Sequence, residues 1–339
     1  MVMTMLRKII KRTMSLLKER DIEPDSLPNG MYCLNYHRIG EKTDTQYDEN
    51  VFSCNKESFE LQLSYFSDFF HLISLSDALE IIKTKKPCTD RYLLLTFDDG
   101  YADNFTEAYP LLKKHNIPAV FFIATDYVES NLVPWWDQVA YMVNNSFKKT
   151  LSLNFMGSGT INLKDRVRAT QSILRYIKVQ RKLTIEDVLC NLRKETGVSF
   201  VPSDADGKSL FMTWDMIIEA SMNGIDIGSH TCSHQLLSNL SFAKQIEELS
   251  VSKDLLEKKI GKPILSLAYP VGSFFSYNYE TCVAARESNY KIAFDFEKGV
   301  NVNPSSNKME LKRFPVNYEH LPSDIVAMMG TFKPSSIVI

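Results

Sequence analysis

Long apolar runs alternate along this chain with segments whose apolar positions recur every three or four residues. Met31–His37, His71–Ile73, Leu93–Phe97, Ala119–Ala124, Ile225–Ser229 and Ile264–Tyr269 read as strands. The strongest of these runs are apolar on both faces, as in a parallel sheet covered by helices. Between them, Ser58–Phe70 carries Phe59, Leu63 and Phe66 on one helical stripe, and Ser76–Lys83 reads as a helix with Ser76 as its N-cap. Phe105–His115 is expected to be helical despite Pro110, and Thr213–Met222 to be a helix ended by Asn223-Gly224. Strand, helix and strand in succession predict parallel β/α units.

The pattern changes between Trp135 and about Ser209, where lysine, arginine and glutamate increase and Asp165–Lys182 has helical periodicity. This stretch is expected to be a largely helical insertion, about 135–209, leaving through Pro202-Ser203-Asp204-Ala205-Asp206-Gly207. Trp135 and Trp136 at its entrance either stack on sugar rings or anchor the insertion to the core. Residues 1–30 form a separate segment, with six basic residues up to Arg20 and Leu6, Ile9, Ile10, Met14 and Leu17 at helical spacing. A basic amphipathic helix there would suit the surface of an anionic membrane. It has neither an uninterrupted apolar stretch nor a small-residue cleavage site, which argues against a signal peptide.

Composition narrows the class. The 339 residues are 44% hydrophobic and 24% charged with a formal net charge of −2, so no basic field argues for nucleic acid. The six cysteines lack CxxC spacing, which leads us to expect reduced thiols in a cytoplasmic protein.

Three strand ends carry the candidate chemistry. Leu93–Phe97 stops in Asp98-Asp99-Gly100, and two neighbouring acids there either cap the next helix or need a cation or shared proton to relieve their repulsion. Ile225–Ser229 delivers His230-Thr231-Cys232-Ser233-His234, whose histidines would share one face of a helical turn and one divalent ion, with Asp99 as third ligand. Ile264–Tyr269 runs into Pro270-Val271-Gly272, a stiff turn whose backbone N–H groups suit an oxyanion. A further strand end, at Met31–His37, carries His37 and Arg38.

Thr96-Phe97-Asp98-Asp99-Gly100, His230–His234 and Ala268-Tyr269-Pro270-Val271-Gly272 resemble the first three motifs of the polysaccharide deacetylase family, the NodB-homology group of carbohydrate esterases. Asn35-Tyr36-His37-Arg38 and Gly228-Ser229 agree as flanks, and the resemblance spans about residues 31–315. It implies an α/β fold, a distorted (β/α) barrel over residues 31–339 with the helical insertion. It also implies Asp98 as general base, Asp99, His230 and His234 as metal ligands, and the backbone at Val271 as oxyanion donor. The metal would be divalent: zinc first, with cobalt, nickel and manganese as alternatives. The family's third motif begins with an arginine where this chain has Ala268; Arg313 is expected to replace it from another strand. The family's late histidine, the usual general acid, has no clean counterpart. His320 stands outside the apolar context it requires, leaving Asp98 or His37 to handle the second proton; the family's fourth motif is missing, with Asp295 the one candidate for a remnant.

The expected activity is removal of acetyl from an N-acetylated sugar or glycan precursor during assembly of a surface polysaccharide. Peripheral membrane contact would come through the N-terminal segment. The competing readings are a hydrolase of small non-sugar amides and a non-catalytic metal- or carbohydrate-binding module.

Overall fold

The computed structural model describes residues 23–332, apart from 158, 181, 182, 200, 203, 206 and 207. The expected amphipathic helix before Arg20 therefore lies outside the described residues, as does part of the 202–207 exit loop. Among the described residues no helix is long and apolar enough to cross a membrane.

Eight parallel strands make the main sheet: β1 (Gly30–Tyr36), β2 (His71–Leu72), β3 (Arg91–Phe97), β4 (Ala119–Ile123), β5 (Ile225–Ser229), β6 (Ser266–Ala268), β7 (Ile292–Phe294) and β8 (Phe314–Pro315). Their order is β7-β6-β5-β4-β3-β1-β8, with β2 against the start of β3. Every residue of β1 and β4 is buried, because helices cover the outside and side chains fill the inside. Close packing shows at Gly228 in β5, where a Cβ would lie 2.3 Å from the Phe122 ring of β4. Leu311 bridges Phe294 of β7 in parallel, and Phe314 pairs with Leu34 of β1. The stretch 311–315 thus spans the gap between the sheet's two edges and gives the expected distorted (β/α) barrel.

The helices are α1 (Lys56–Phe69), α2 (Leu75–Lys83), α3 (Tyr109–His115), α4 (Trp135–Asn144), α5 (Arg166–Val179), α6 (Ile185–Thr196), α7 (Trp214–Met222), α8 (Phe242–Ile260), α9 (Tyr279–Glu287) and α10 (Pro322–Thr331). Two boundaries differ from expectation. Ser74, not Ser76, caps α2, and it exchanges hydrogen bonds with Asp77 in a capping box. Ahead of α3 the chain forms a π-helical turn, Asn104–Ala108, next to Pro110, whose missing N–H removes a helical bond.

Between β4 and α7, helices α4–α6 and a hairpin of Thr150–Ser152 with Thr160–Asn162 pack around their own core, which includes Trp135, Val139, Ile173 and Leu189. Tyr101, Tyr127 and Phe211 stack on one another and join this second core to the barrel.

Candidate active site

The ends of β1, β3, β5 and β6 open into one cleft of about 660 Å³ lined by Asn35, His37, Asp98, Asp99, His230, His234 and Val271, among others. Each expected site residue except Arg313 lines it. Arg313 lies behind Asp98, fully buried.

Asp98 continues the β3 path, its N–H donating to the Tyr36 carbonyl at 2.9 Å. Arg313 grips its carboxylate with both terminal nitrogens, Nη1 to Oδ1 at 2.7 Å and Nη2 to Oδ2 at 2.8 Å. The guanidinium is fixed in turn: Nε donates to the Asp295 carbonyl at 2.7 Å, and Nη1 also reaches Asn35 Oδ1 and Thr96 Oγ1 at 3.1 and 3.2 Å. Asn35 closes the ring of contacts through Nδ2 to Asp98 Oδ2 at 3.1 Å. Burial alone would raise the Asp98 carboxyl, but the Arg313 and His230 charges outweigh it and hold the group below the ordinary carboxylate range. Asp98 is therefore a buried, ionised carboxylate in a fixed orientation. Arg313 takes the place left open by Ala268, which packs in the barrel core.

Asp99 adopts φ 75°, turning its side chain away from that clamp. Its Oδ1 lies 3.3 Å from both His230 Nε2 and His234 Nε2. His230 Nδ1 is 2.8 Å from the Ala268 carbonyl. Only an N–H can face a carbonyl oxygen, so Nδ1 carries a proton, and in the neutral imidazole the Nε2 lone pair is left for a metal ion beside Asp99. Buried Asp99 Oδ1 and His234 Nδ1 have no aligned hydrogen-bond partner. The three residues offer ligand atoms within 4.8 Å of one another, all buried. Two imidazole nitrogens and a carboxylate oxygen with unsatisfied lone pairs form a donor set suited to zinc or a similar divalent ion, so the residues fit the expected metal.

The histidines do not converge on a helical turn, as their spacing suggested. Residues 230–234 form an irregular bend in which Thr231 and His234 have φ 68° and 54°. Three donors hold this bend on Glu248 of α8: the N–H groups of Cys232 and Ser233 at 3.0 and 2.9 Å, and the Ser233 hydroxyl at 2.6 Å. Trp136 lies against His234, ring centres 4.4 Å apart, and donates Nε1–H to the Tyr101 hydroxyl. With both tryptophans about 95% buried, they anchor the insertion beside the site.

Val271 has φ 62°, and its N–H takes no part in the turn's backbone hydrogen bonds. Gly272 is required here, since a Cβ would meet Phe296 at 2.7 Å. Four of the eight described non-glycine residues at positive φ are Asp99, Thr231, His234 and Val271. Strain of that kind, costly for β-branched Thr and Val, concentrates where function over-determines the backbone.

His320 lies on the loop before α10, away from the cleft, its Nδ1 accepting from the Asn317 N–H. His37 does line the cleft, with its ring edge on Phe296. The Asp295 side chain accepts from Tyr277 and Lys312 rather than facing the cleft, and its backbone carbonyl orients Arg313. The reading of the sequence assigned no role to Asn35, Thr96 or Glu248. The first two interrupt otherwise apolar strands, which is a usable signal; Glu248 on a charged helix offers none.

The profile of the polysaccharide deacetylase family matches residues 85–157 and 164–293, and the chain belongs to that family of hydrolases acting on carbon–nitrogen bonds. Asn35 and Arg313 both lie outside the matched residues. A protein of Bacillus subtilis (strain 168) named as a polysaccharide deacetylase is 24% identical over 279 residues, covering 82% of this chain and 67% of that relative. The poly-beta-1,6-N-acetyl-D-glucosamine N-deacetylase of Staphylococcus aureus (strain N315) is 30% identical over 109 residues, 30% of this chain and 38% of that protein. Among solved structures, the Streptococcus pyogenes deacetylase PplD in complex with acetate superposes with TM-score 0.59 at 20% identity, covering 89% of this chain and 99% of its own. IcaB from Ammonifex degensii superposes with TM-score 0.57 at 16% identity, covering 89% and 98%. These two share the fold.

Proposed function

We propose that this protein is a metal-dependent N-deacetylase removing acetyl from an N-acetylated sugar in surface polysaccharide biosynthesis. The observation that carries this reading is the pairing in one cleft of a clamped, ionised Asp98 with a buried Asp99–His230–His234 donor set. A non-catalytic binding site would have no use for a base held beside metal ligands. Named relatives acting on poly-N-acetylglucosamine support the sugar substrate.

Asp99, His230 and His234 would hold the divalent ion. When bound, such an ion lowers the pKa of a water and polarises an amide carbonyl. Asp98 accepts the proton of the attacking water, whose oxygen bonds to the carbonyl carbon. Val271 lines the cleft, and its backbone N–H would stabilise the developing oxyanion. Arg313, a positioning residue, keeps Asp98 ionised and its reactive oxygen aimed. As the C–N bond breaks, Asp98 returns its proton to the leaving amine, and acetate and a free amino sugar result. Attachment to the cytoplasmic face of a membrane through the segment 1–30 belongs to the same proposal, and cell fractionation tests it.

The deciding experiment is acetate release by zinc- or cobalt-loaded protein from UDP-GlcNAc, lipid-linked GlcNAc, chitooligomers and poly-N-acetylglucosamine, against Asp98→Asn. Release abolished by the variant is expected. No release from any substrate, with metal demonstrably bound, would move the assignment to a non-sugar amide hydrolase or a binding module.

A further inference from the structure

Helix α5 belongs to the insertion, yet it forms one wall of the cleft. Its core face, with Thr170, Ile173 and Ile177, is buried within the insertion. Gln171, Leu174, Arg175 and Lys178, at helical spacing on the adjoining face, line the cleft. Gln171 Nε2 donates to Asn50 Oδ1 at 2.8 Å, which fixes how this face is turned.

Among the described residues neither Arg175 nor Lys178 has a carboxylate partner, whereas Arg38, Arg193, Lys253 and Lys312 are each paired with an acid. Asp48, the nearest acid on the wall, already accepts from Asn50 N and Nδ2. Asp98 is neutralised by Arg313, and Asp99 belongs to the metal donor set. Burial pushes the Lys178 ammonium down, and Asp48 and Asp99 only partly oppose that. Arg175 is exposed and Lys178 half-buried at the cleft; two like charges three residues apart on a helix repel, and an anion arriving between them relieves that repulsion.

We propose that Arg175 and Lys178 form an anion subsite that takes a phosphate or carboxylate carried by the substrate next to its acetylated amine. This deepens the deacetylase reading and rests on it: the substrate is an anionic glycan or sugar phosphate rather than a neutral homopolymer. The ion pair with a bound anion is charge-assisted and weakens with salt.

The test measures binding and turnover separately. Quenching of tryptophan fluorescence in Asp98→Asn protein, with Trp135 and Trp136 in the cleft wall, reports affinity for GlcNAc, GlcNAc-1-phosphate and a GlcNAc–glucuronate disaccharide. The anionic ligands should bind about ten-fold or more tighter than GlcNAc at low salt, and the advantage should vanish in Arg175→Gln/Lys178→Gln. The phosphate and uronate arms tell which anion fits. In turnover, the ratio of kcat/KM for anionic over neutral substrates should fall by a similar factor, carried by KM, and Arg175→Lys should restore part of it. Equal affinity for charged and neutral ligands, or an equal loss of both in the double variant, would overturn the subsite. Differential binding without acetate release would overturn the deacetylase reading while supporting the subsite.

Discussion

The cleft has two walls built on opposite principles. On the barrel side, the groups that orient the site are held by others: Asp98 by Arg313 and Asn35, the 230–234 bend by Glu248, His230 by the Ala268 carbonyl. On the insertion side, Arg175 and Lys178 project from one helix face without carboxylate partners. Chemistry needs groups fixed before substrate arrives, since reorganisation at the moment of reaction costs rate. Recognition can leave its charges to be satisfied by the ligand. In the reading proposed above, the barrel wall sets the reaction and the insertion wall is where the choice of substrate is made.

The largest expected effect is on the barrel wall itself. Asp98→Asn should lower kcat by about 10³-fold while leaving metal content intact, measured by acetate release and by metal analysis of dialysed protein. His230→Ala should do the reverse in metal content, losing the ion altogether.

Arg313 comes next. Arg313→Met leaves a buried carboxylate unpaired and should cost about 3–5 kcal/mol in denaturant unfolding. The sign for pH follows from Asp98, whose folded pKa lies below its model value of 3.8. It contributes stability above that value, lost as pH falls through the lower folded pKa. Without Arg313 the contribution shrinks and the acid limb of the kcat/KM profile moves to higher pH. An unmoved limb would refute the positioning role. Arg313→Lys keeps charge without the two-pronged grip and should recover stability more than rate.

Glu248→Gln acts only through the bend. It keeps one acceptor oxygen and removes the other, so zinc affinity should fall about ten-fold by competition with a chelator. Unchanged affinity would show that the bend holds its shape without α8.

The smallest effect sits where the walls meet. Burial pushes the Asp137 carboxyl up to about 7 from the ordinary carboxylate value of 3.8, partly opposed by the Asp48 N–H. A raised folded pKa makes Asp137 stabilising when protonated, so that contribution is lost as pH rises from about 4 through about 7. Asp137→Asn should flatten the decline of Tm over that interval without altering the acid limb of kcat/KM. A decline unaffected by the variant would place the titration elsewhere.

Much of the barrel wall was readable in the residues. Asp98, Asp99, His230, His234 and Val271 follow apolar strands, and parallel strands place their ends on one rim. Other parts were not. The HxxxH spacing suggested a helix because spacing alone cannot reveal that Glu248, on a helix far along the chain, would hold an open bend. Ser76 is a suitable cap by residue type, but the capping box forms two residues earlier, between Ser74 and Asp77. Trp135 and Trp136 leave two roles open in the sequence; burial of Trp136 against Tyr101 and His234, with Trp135 packed on it, makes them anchors.

What this sequence determined by itself is local: which runs must be buried on both faces, where they end, and which reactive side chains they deliver. Hydrophobic period and turn residues act over a few positions, so they are legible without the fold. The tertiary structure decided what meets across distance. Arg313 reaches Asp98 from 215 residues away because the 311–315 stretch closes the barrel, and α5 turns its cationic face to the cleft because the insertion packs there. Electrostatic partners act through space, and only closure of the barrel and docking of the insertion set those separations.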